Sequence, residues 1–166
     1  MPAERRPRRP AAYNSPSRPL DEVNLRLLAE LSANPRLTRS ELARRIGLSA
    51  PAVTERVQRL ERAGVITGYR LDLDPATLGL PVTAFARIRP SPGQLPKVAE
   101  VAARLPQISE CHRITGEDCF IVKVHAAAID ELEATLDEFL LYGTTTTSIV
   151  VSTPVPPRPL PLPIPP

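Results

Sequence analysis

The chain has 166 residues, room for one ordinary domain or two small ones, and its 42% apolar and 23% charged residues give a globular balance. With no Trp, three Tyr and three Phe, its cores must be built from Leu, Val, Ile and Ala. Two cysteines are too few to staple such a chain, no apolar run approaches the ~20 residues of a membrane span, and the basic start lacks an apolar signal region, so a cytoplasmic protein with no membrane partner is expected.

The net charge of +3 is unevenly spread. Residues 1–70 carry 14 Lys and Arg against 7 Asp and Glu, or +7, and residues 71–166 carry 7 against 11, or −4. A basic first half on an acidic second half suggests a polyanion-binding module joined to one that need not touch polyanions. A solvated face plus a basic tail would give the same sums.

Residues 1–18, rich in Arg, Pro, Ala and Ser, are expected to be a disordered basic arm. Its Arg5, Arg6, Arg8 and Arg9 either add a non-specific grip on nucleic acid or merely solubilise the chain. Order begins at Leu20-Asp21, where Asp21 can N-cap a helix between staple residues Leu20 and Leu25. Leu27, Leu28 and Leu31 form its apolar stripe, and Asn34-Pro35 ends it. Thr38-Arg39-Ser40-Glu41 is a capping box, and the short helix it starts stops at Gly47, where a left-handed residue makes the turn. Ser49 caps a third helix, with Pro51 tolerated in its first turn. Val53, Val57 and Leu60 bury one face, while Pro51, Thr54, Glu55, Gln58, Arg59 and Arg62 fan across the other. Two short capped helices on a Gly turn, the second with an Arg-bearing outer face, spell a helix-turn-helix. A generic helical hairpin would not require both caps and the glycine.

After Tyr69 the period changes from 3.6 to 2. Val82, Ala84, Ala86 and Ile88 alternate with Thr83, Phe85, Arg87 and Arg89 in a strand ending at Pro90. Val98, Val101, Ala102 and Leu105 mark a helix, Ile108 to Thr115 and Phe120 to Ala126 two strands, Leu132, Leu136, Phe139 and Leu140 a second helix, and Thr144 to Thr153 a last strand. The order βαββαβ is the ferredoxin-like split unit, with helices on one sheet face and the open face expected to meet another subunit. The predicted class is therefore α+β: a winged-helix-like helix-turn-helix at 20–66, a linker strand segment at 67–79 whose residues 67–73 pair with the partner's copy, a ferredoxin-like domain at 80–153, and a Pro-rich tail at 154–166. That tail is expected to be polyproline II-like or disordered, and inert rather than a docking segment.

Within Ile46 to Tyr69, the elements Gly47-Leu48-Ser49, Arg56-Val57-Gln58-Arg59-Leu60-Glu61 and Gly64-Val65-Ile66-Thr67-Gly68-Tyr69 stand in register. This stretch resembles the signature of the Lrp/AsnC (leucine-responsive, feast/famine) family along its whole length, and Asp74-Pro75 with Leu78-Gly79 continues the resemblance. The resemblance implies a sequence-specific, DNA-binding transcriptional regulator. It also implies homodimers that join into higher assemblies such as octamers, and a small amino-acid effector held between subunits of the C-terminal domain.

For double-stranded DNA, helix 49–62 is expected to enter the major groove with Ser49, Thr54 and Arg59 nearest bases or phosphates. Pro51, Glu55, Arg56 and Gln58 complete that DNA-facing set, and Thr38, Arg39 and Arg44 are assigned to backbone phosphate. Glu55 either accepts from cytosine or, the favoured reading, orients Arg59 one turn on. A symmetric dimer predicts pseudo-palindromic sites with half-sites about one helical turn apart or a multiple of it.

The run from Glu110 to Phe120 resembles the family's effector loop, which implies Thr115, Gly116, Glu117, Asp118 and Cys119 as effector contacts, opposite Thr145 and Thr147. The family commonly has an acid where Cys119 stands, so the contact to an ammonium group falls to Glu117 or Asp118, or is absent. A plain tight turn on Gly116 is the simpler alternative. Cys111, His112 and Cys119 lack a CxxC spacing and a fourth ligand, so reduced thiols are favoured over a metal or redox site, and no cofactor is expected.

No GxSxG, Walker loop, GxGxxG or HExxH motif is present, so no enzyme is expected. Proteins of this architecture include tetrapyrrole decarboxylases, but His112 and His125 are the only histidines available for such a site. An effector-independent architectural DNA-organising protein is the other alternative. The primary reading is a nucleoid-associated cytoplasmic regulator.

Overall fold

A computed structural model describes residues 20–163, which fall into two compact units. Residues 71–156 form one, and residues 20–70 together with 157–163 form the other. The expected basic arm at 1–18 lies outside the described residues.

In the first unit, three helices form where the caps predict them: α1 (Glu22–Ala33), α2 (Arg39–Ile46) and α3 (Ala50–Arg62). The Asn24 amide donates to Asp21 Oδ1 at 2.7 Å. The capping box closes reciprocally, the Glu41 amide donating to Thr38 Oγ1 at 3.2 Å and the Thr38 amide to Glu41 Oε2 at 2.8 Å. Gly47 takes φ 73°, the left-handed value that lets α2 turn into α3. Leu27, Leu42, Val53 and Val57 are wholly buried between the three helices.

Two ion pairs tie the later helices back to α1. Arg45 Nη1 meets Glu30 Oε2 at 2.7 Å. Arg56 Nη1 donates to Asp21 Oδ2 at 2.8 Å and to the side-chain oxygen of buried Asn24 at 3.0 Å. Arg56 therefore faces α1, where it satisfies a buried amide that would otherwise lack a partner.

The second unit holds β1 (Val82–Pro90), α4 (Leu95–Arg104), β2 (Ile108–Arg113), β3 (Phe120–Ala126), α5 (Ile129–Asp137) and β4 (Gly143–Ile149). The strands form an antiparallel sheet in the order β2-β3-β1-β4, the ferredoxin-like arrangement. Ala84, Ala86, Ile88, Val122, Val124 and Ala126 point to the helices and are buried with Val98, Leu132 and Phe139. Phe85, Arg87 and Arg89 point to the open face.

Two strand ends differ from the sequence reading. The strand expected to reach Thr153 stops at Ile149, because its partner β1 begins at Val82 and the ladder closes with the Val150 amide on the Thr83 carbonyl at 2.8 Å. The strand expected to reach Thr115 stops at Arg113, because the Ile114 amide bonds the Cys119 carbonyl at 2.9 Å and starts the turn. Residues 67–79 form no strand within the chain. Asp74 instead folds their second half into a turn, accepting from the Ala76 amide at 3.1 Å and the Thr77 hydroxyl at 2.6 Å. A bulge between Ile108 and Glu110 also shifts the alternation in β2, so Ile108 packs on the core while Glu110 pairs across from Lys123.

Gly143 starts β4 opposite Pro90 with no room for a side chain. A Cβ there would lie 2.9 Å from both the Arg89 carbonyl carbon and Pro90 Cα, backbone atoms that cannot swing aside. Gly143→Ala should cost the sheet unit about 1–3 kcal/mol, read as a lower unfolding midpoint for that unit with the helical unit unchanged. Arg56→Ala should cost the helical unit about 1 kcal/mol, a figure kept low because the Asp21 partner is half-exposed and screened. The hydrogen bond from Arg56 comes first among the influences holding the Asp21 carboxyl below its ordinary 3.8. Its contribution is thus full above that value and lost as the pH falls through the lowered one. Chemical unfolding of Arg56→Ala and the parent should differ at pH 7 and converge in strong acid.

Candidate nucleic-acid interface and effector loop

The outer side of α3 carries Pro51, Glu55, Gln58, Arg59 and Arg62, all exposed. Ser49 and Thr54 flank its first turn, but both hydroxyls already serve the helix. Ser49 Oγ accepts from the Ala52 amide at 3.4 Å, and Thr54 Oγ1 donates to the Ala50 carbonyl at 2.9 Å. Each oxygen keeps acceptor capacity for a further partner. Thr38 is exposed within its capping box, Arg44 is exposed on α2, and Arg39 is half-buried. Among the described residues neither Arg44 nor Arg59 enters an ion pair, so Glu55 does not orient Arg59 here. Arg56, assigned from sequence to the DNA-facing set, is turned away to Asp21 and Asn24.

One contact escaped the sequence reading. Tyr69 Oη donates to Glu61 Oε1 at 2.9 Å, fastening the segment after α3 to the end of that helix. Burial first, then the Glu61 carboxylate, pushes the Tyr69 phenol above its usual value, with the Arg39 guanidinium opposing. Glu61 and Tyr69 both lie in the stretch whose resemblance to a family signature was noted, but spacing alone gives no hint that they touch.

The turn Ile114–Cys119 brings Gly116, at φ 111°, and two carboxylates to the end of β1. Glu117 pairs with Arg89, while Asp118 lies 3.7 Å from Arg87 Nε and 3.6 Å from Arg89 Nε. Two guanidiniums and two carboxylates thus form one charge-balanced cluster on the open face. Alternation had put both arginines on that face, but only the fold carries the turn to them. Thr115 is exposed beside them and Cys119 is half-buried.

Thr145 and Thr147 lie elsewhere. They pair with Ile88 and Ala86, whose side chains face the helices, so both threonines share the helix-covered side of the sheet with β1 between them and the turn. Within one chain they do not join the Glu117–Asp118 cluster.

Cys111 sits opposite Val122 and both cysteines are free thiols. Among the described residues no three His, Cys, Asp or Glu side chains are arranged to hold a metal. His125 Nδ1 is 3.1 Å from Thr83 Oγ1, and burial lowers its pKa, which favours a neutral packed ring. His112 Nε2 lies 3.4 Å from Glu110 Oε2 on the open face. No helix is long and apolar enough to cross a membrane among the residues described.

Two family models match the chain in tandem. A winged helix-turn-helix DNA-binding model covers residues 20–67, and the Lrp/AsnC ligand binding domain covers residues 83–160. The transcriptional regulator LrpC of Bacillus subtilis is 35% identical over 133 residues, spanning 80% of this chain and 92% of LrpC. Its structure superposes with a TM-score of 0.76 at 34% identity, over 81% of this chain and 96% of that one. A feast or famine regulatory protein from Mycobacterium tuberculosis, solved with L-methionine, gives a TM-score of 0.79 at 33% identity, over 85% and 98%. A Neisseria meningitidis transcriptional regulator, also solved with L-Met, gives 0.79 at 25% identity, over 86% and 96%. With both modules matched in order and relatives covered almost end to end, the chain belongs to the Lrp/AsnC family and is a DNA-binding transcriptional regulator.

Proposed function

We propose that α3 reads the major groove through Arg59 and Gln58, with Pro51 and Glu55 beside them, Ser49 and Thr54 at the leading end, and Thr38, Arg39 and Arg44 on backbone phosphate. The observation that carries this is the Arg59 guanidinium, exposed at the centre of the outer face and in no ion pair among the described residues. Arg56 is left out of the set, since its guanidinium is already held by Asp21 and Asn24. Such a protein works on the nucleoid, in the cytoplasm, without an enzymatic step.

The same reading assigns the turn Thr115, Gly116, Glu117, Asp118 and Cys119 to a small amino-acid effector. Two relatives of this fold were solved with L-methionine, which supports that class of ligand. The balanced cluster supports it as well: a zwitterion brings one charge of each sign, so its carboxylate can exchange onto Arg87 or Arg89 as its ammonium takes Glu117 or Asp118. Thr145 and Thr147 would join only from another subunit. Homodimers are assigned to the open face and the exposed Tyr69, Leu71 and Leu73 of the linker, and it is their further assembly to an octamer that would have to bring up such a subunit.

Arg59→Ala should weaken binding to a selected DNA duplex by about 1–3 kcal/mol, or roughly five- to more than a hundredfold, without moving the unfolding midpoint. Loss of stability in place of affinity would remove Arg59 from the groove. Thermal unfolding against the twenty amino acids should show one stabilising ligand, by about 2.7 kcal/mol at ~100 times its dissociation constant. That shift should vanish in Glu117→Gln or Asp118→Asn. No shift at millimolar concentration with any of the twenty would refute an amino-acid effector and favour the architectural alternative.

A further inference from the structure

We propose that the Pro-rich C-terminal segment is a strap of the DNA-binding unit: residues Pro157–Pro163 seat Leu162 on the apolar core of the helix-turn-helix, and full DNA affinity depends on that seat being filled. The segment leaves the sheet unit after Pro156 and belongs with the helical unit from Pro157 onward. Leu162 packs, partly buried, against the apolar cluster that all three helices build, among whose members are Leu27, Leu42 and Val57. Leu160, two residues earlier, is 84% exposed. One leucine is selected and its neighbour is not, which marks a seat rather than a general apolar collapse.

The composition of the segment suits this task. Pro157, Pro159, Pro161 and Pro163 fix the backbone near the extended polyproline II form, so little conformational freedom remains to be lost on docking. The prolines have no N–H to give a strand ladder, which leaves the side chains to carry most of the docking. Charge decides between a strap that supports DNA binding and one that blocks it. Arg158 is the only charged residue from 154 to 166, so the segment carries none of the acidity needed to imitate DNA on a basic surface. The cluster it joins includes Val53, Val57 and Leu60 of α3, the face of that helix opposite Arg59. Filling the seat braces α3 from behind and leaves its outer face clear.

The test compares Leu162→Asp, Leu162→Ala and Leu160→Asp in the full chain, on a duplex that the intact protein has itself selected from a random pool. Failure of that selection would count against DNA reading and is separate from the strap. With a duplex in hand, Leu162→Asp should bind about tenfold or more weakly and Leu162→Ala several-fold more weakly, with faster hydrogen exchange in the α3 amides. Leu160→Asp should stay within about twofold. Leu162→Ala settles the matter if the aspartate unfolds the unit. Affinity and exchange in both Leu162 variants equal to those of Leu160→Asp would overturn the proposal.

Discussion

The clamp from Arg56 to Asp21 and Asn24 fixes which way the third helix faces, and the surface proposed for DNA contact depends on that orientation. Apolar packing by Val53, Val57 and Leu60 sets the buried side of α3, but such a stripe tolerates some rotation about the helix axis. A guanidinium nitrogen shared between Asp21 and Asn24 at the start of α1 does not. With Arg56 turned inward, Arg59 is left outward on the same helix, three residues on. The signature therefore contains two arginines in opposite settings, one held against α1 and one exposed on the outer face of α3.

The same contact shows where sequence reasoning has its limit. Caps are local, so Asp21, Thr38, Glu41, Gly47 and Ser49 all act where the sequence put them. Strand alternation is also local, and the faces of β1 and β3 followed directly from it. Contacts across many residues were not legible. Arg56 reaches back 35 residues to Asp21, and Arg89 reaches forward 28 to Glu117. Helical periodicity places Arg56 near the edge of the outer fan, and only the position of α1 decides which way it turns. The bulge in β2 and the early end of β4 were hidden likewise, since both depend on what the partner strand offers.

The central strand β1 joins the structural and chemical parts of the second unit. One set of its side chains, Ala84, Ala86 and Ile88, is wholly buried, and the alternate set, Phe85, Arg87 and Arg89, faces outward. Its small inward residues let the helices approach, and Gly143 lets β4 start hard against its last residues. The position of Arg89 is thereby fixed on both sides, by the ladder to Thr144 and by the turn that delivers Glu117. A ligand exchanging with those carboxylates would act on a strand hydrogen-bonded along both edges, where a small displacement is not easily absorbed locally.

The placement of Thr145 and Thr147 follows from the same pleat. Adjacent residues on a strand face opposite ways, so Thr144 and Thr146 share the side of Arg89 and Arg87 while Thr145 and Thr147 take the other. A threonine run read as a sequence gives four equivalent hydroxyls, and pairing with β1 divides them into two sets. One set borders the charge cluster within the chain. The other, on the helix-covered side of an edge strand, lies away from it. A contact set that is incomplete in a single chain would bind its effector in proportion to assembly, so effector affinity and subunit association become linked quantities, each strengthening the other.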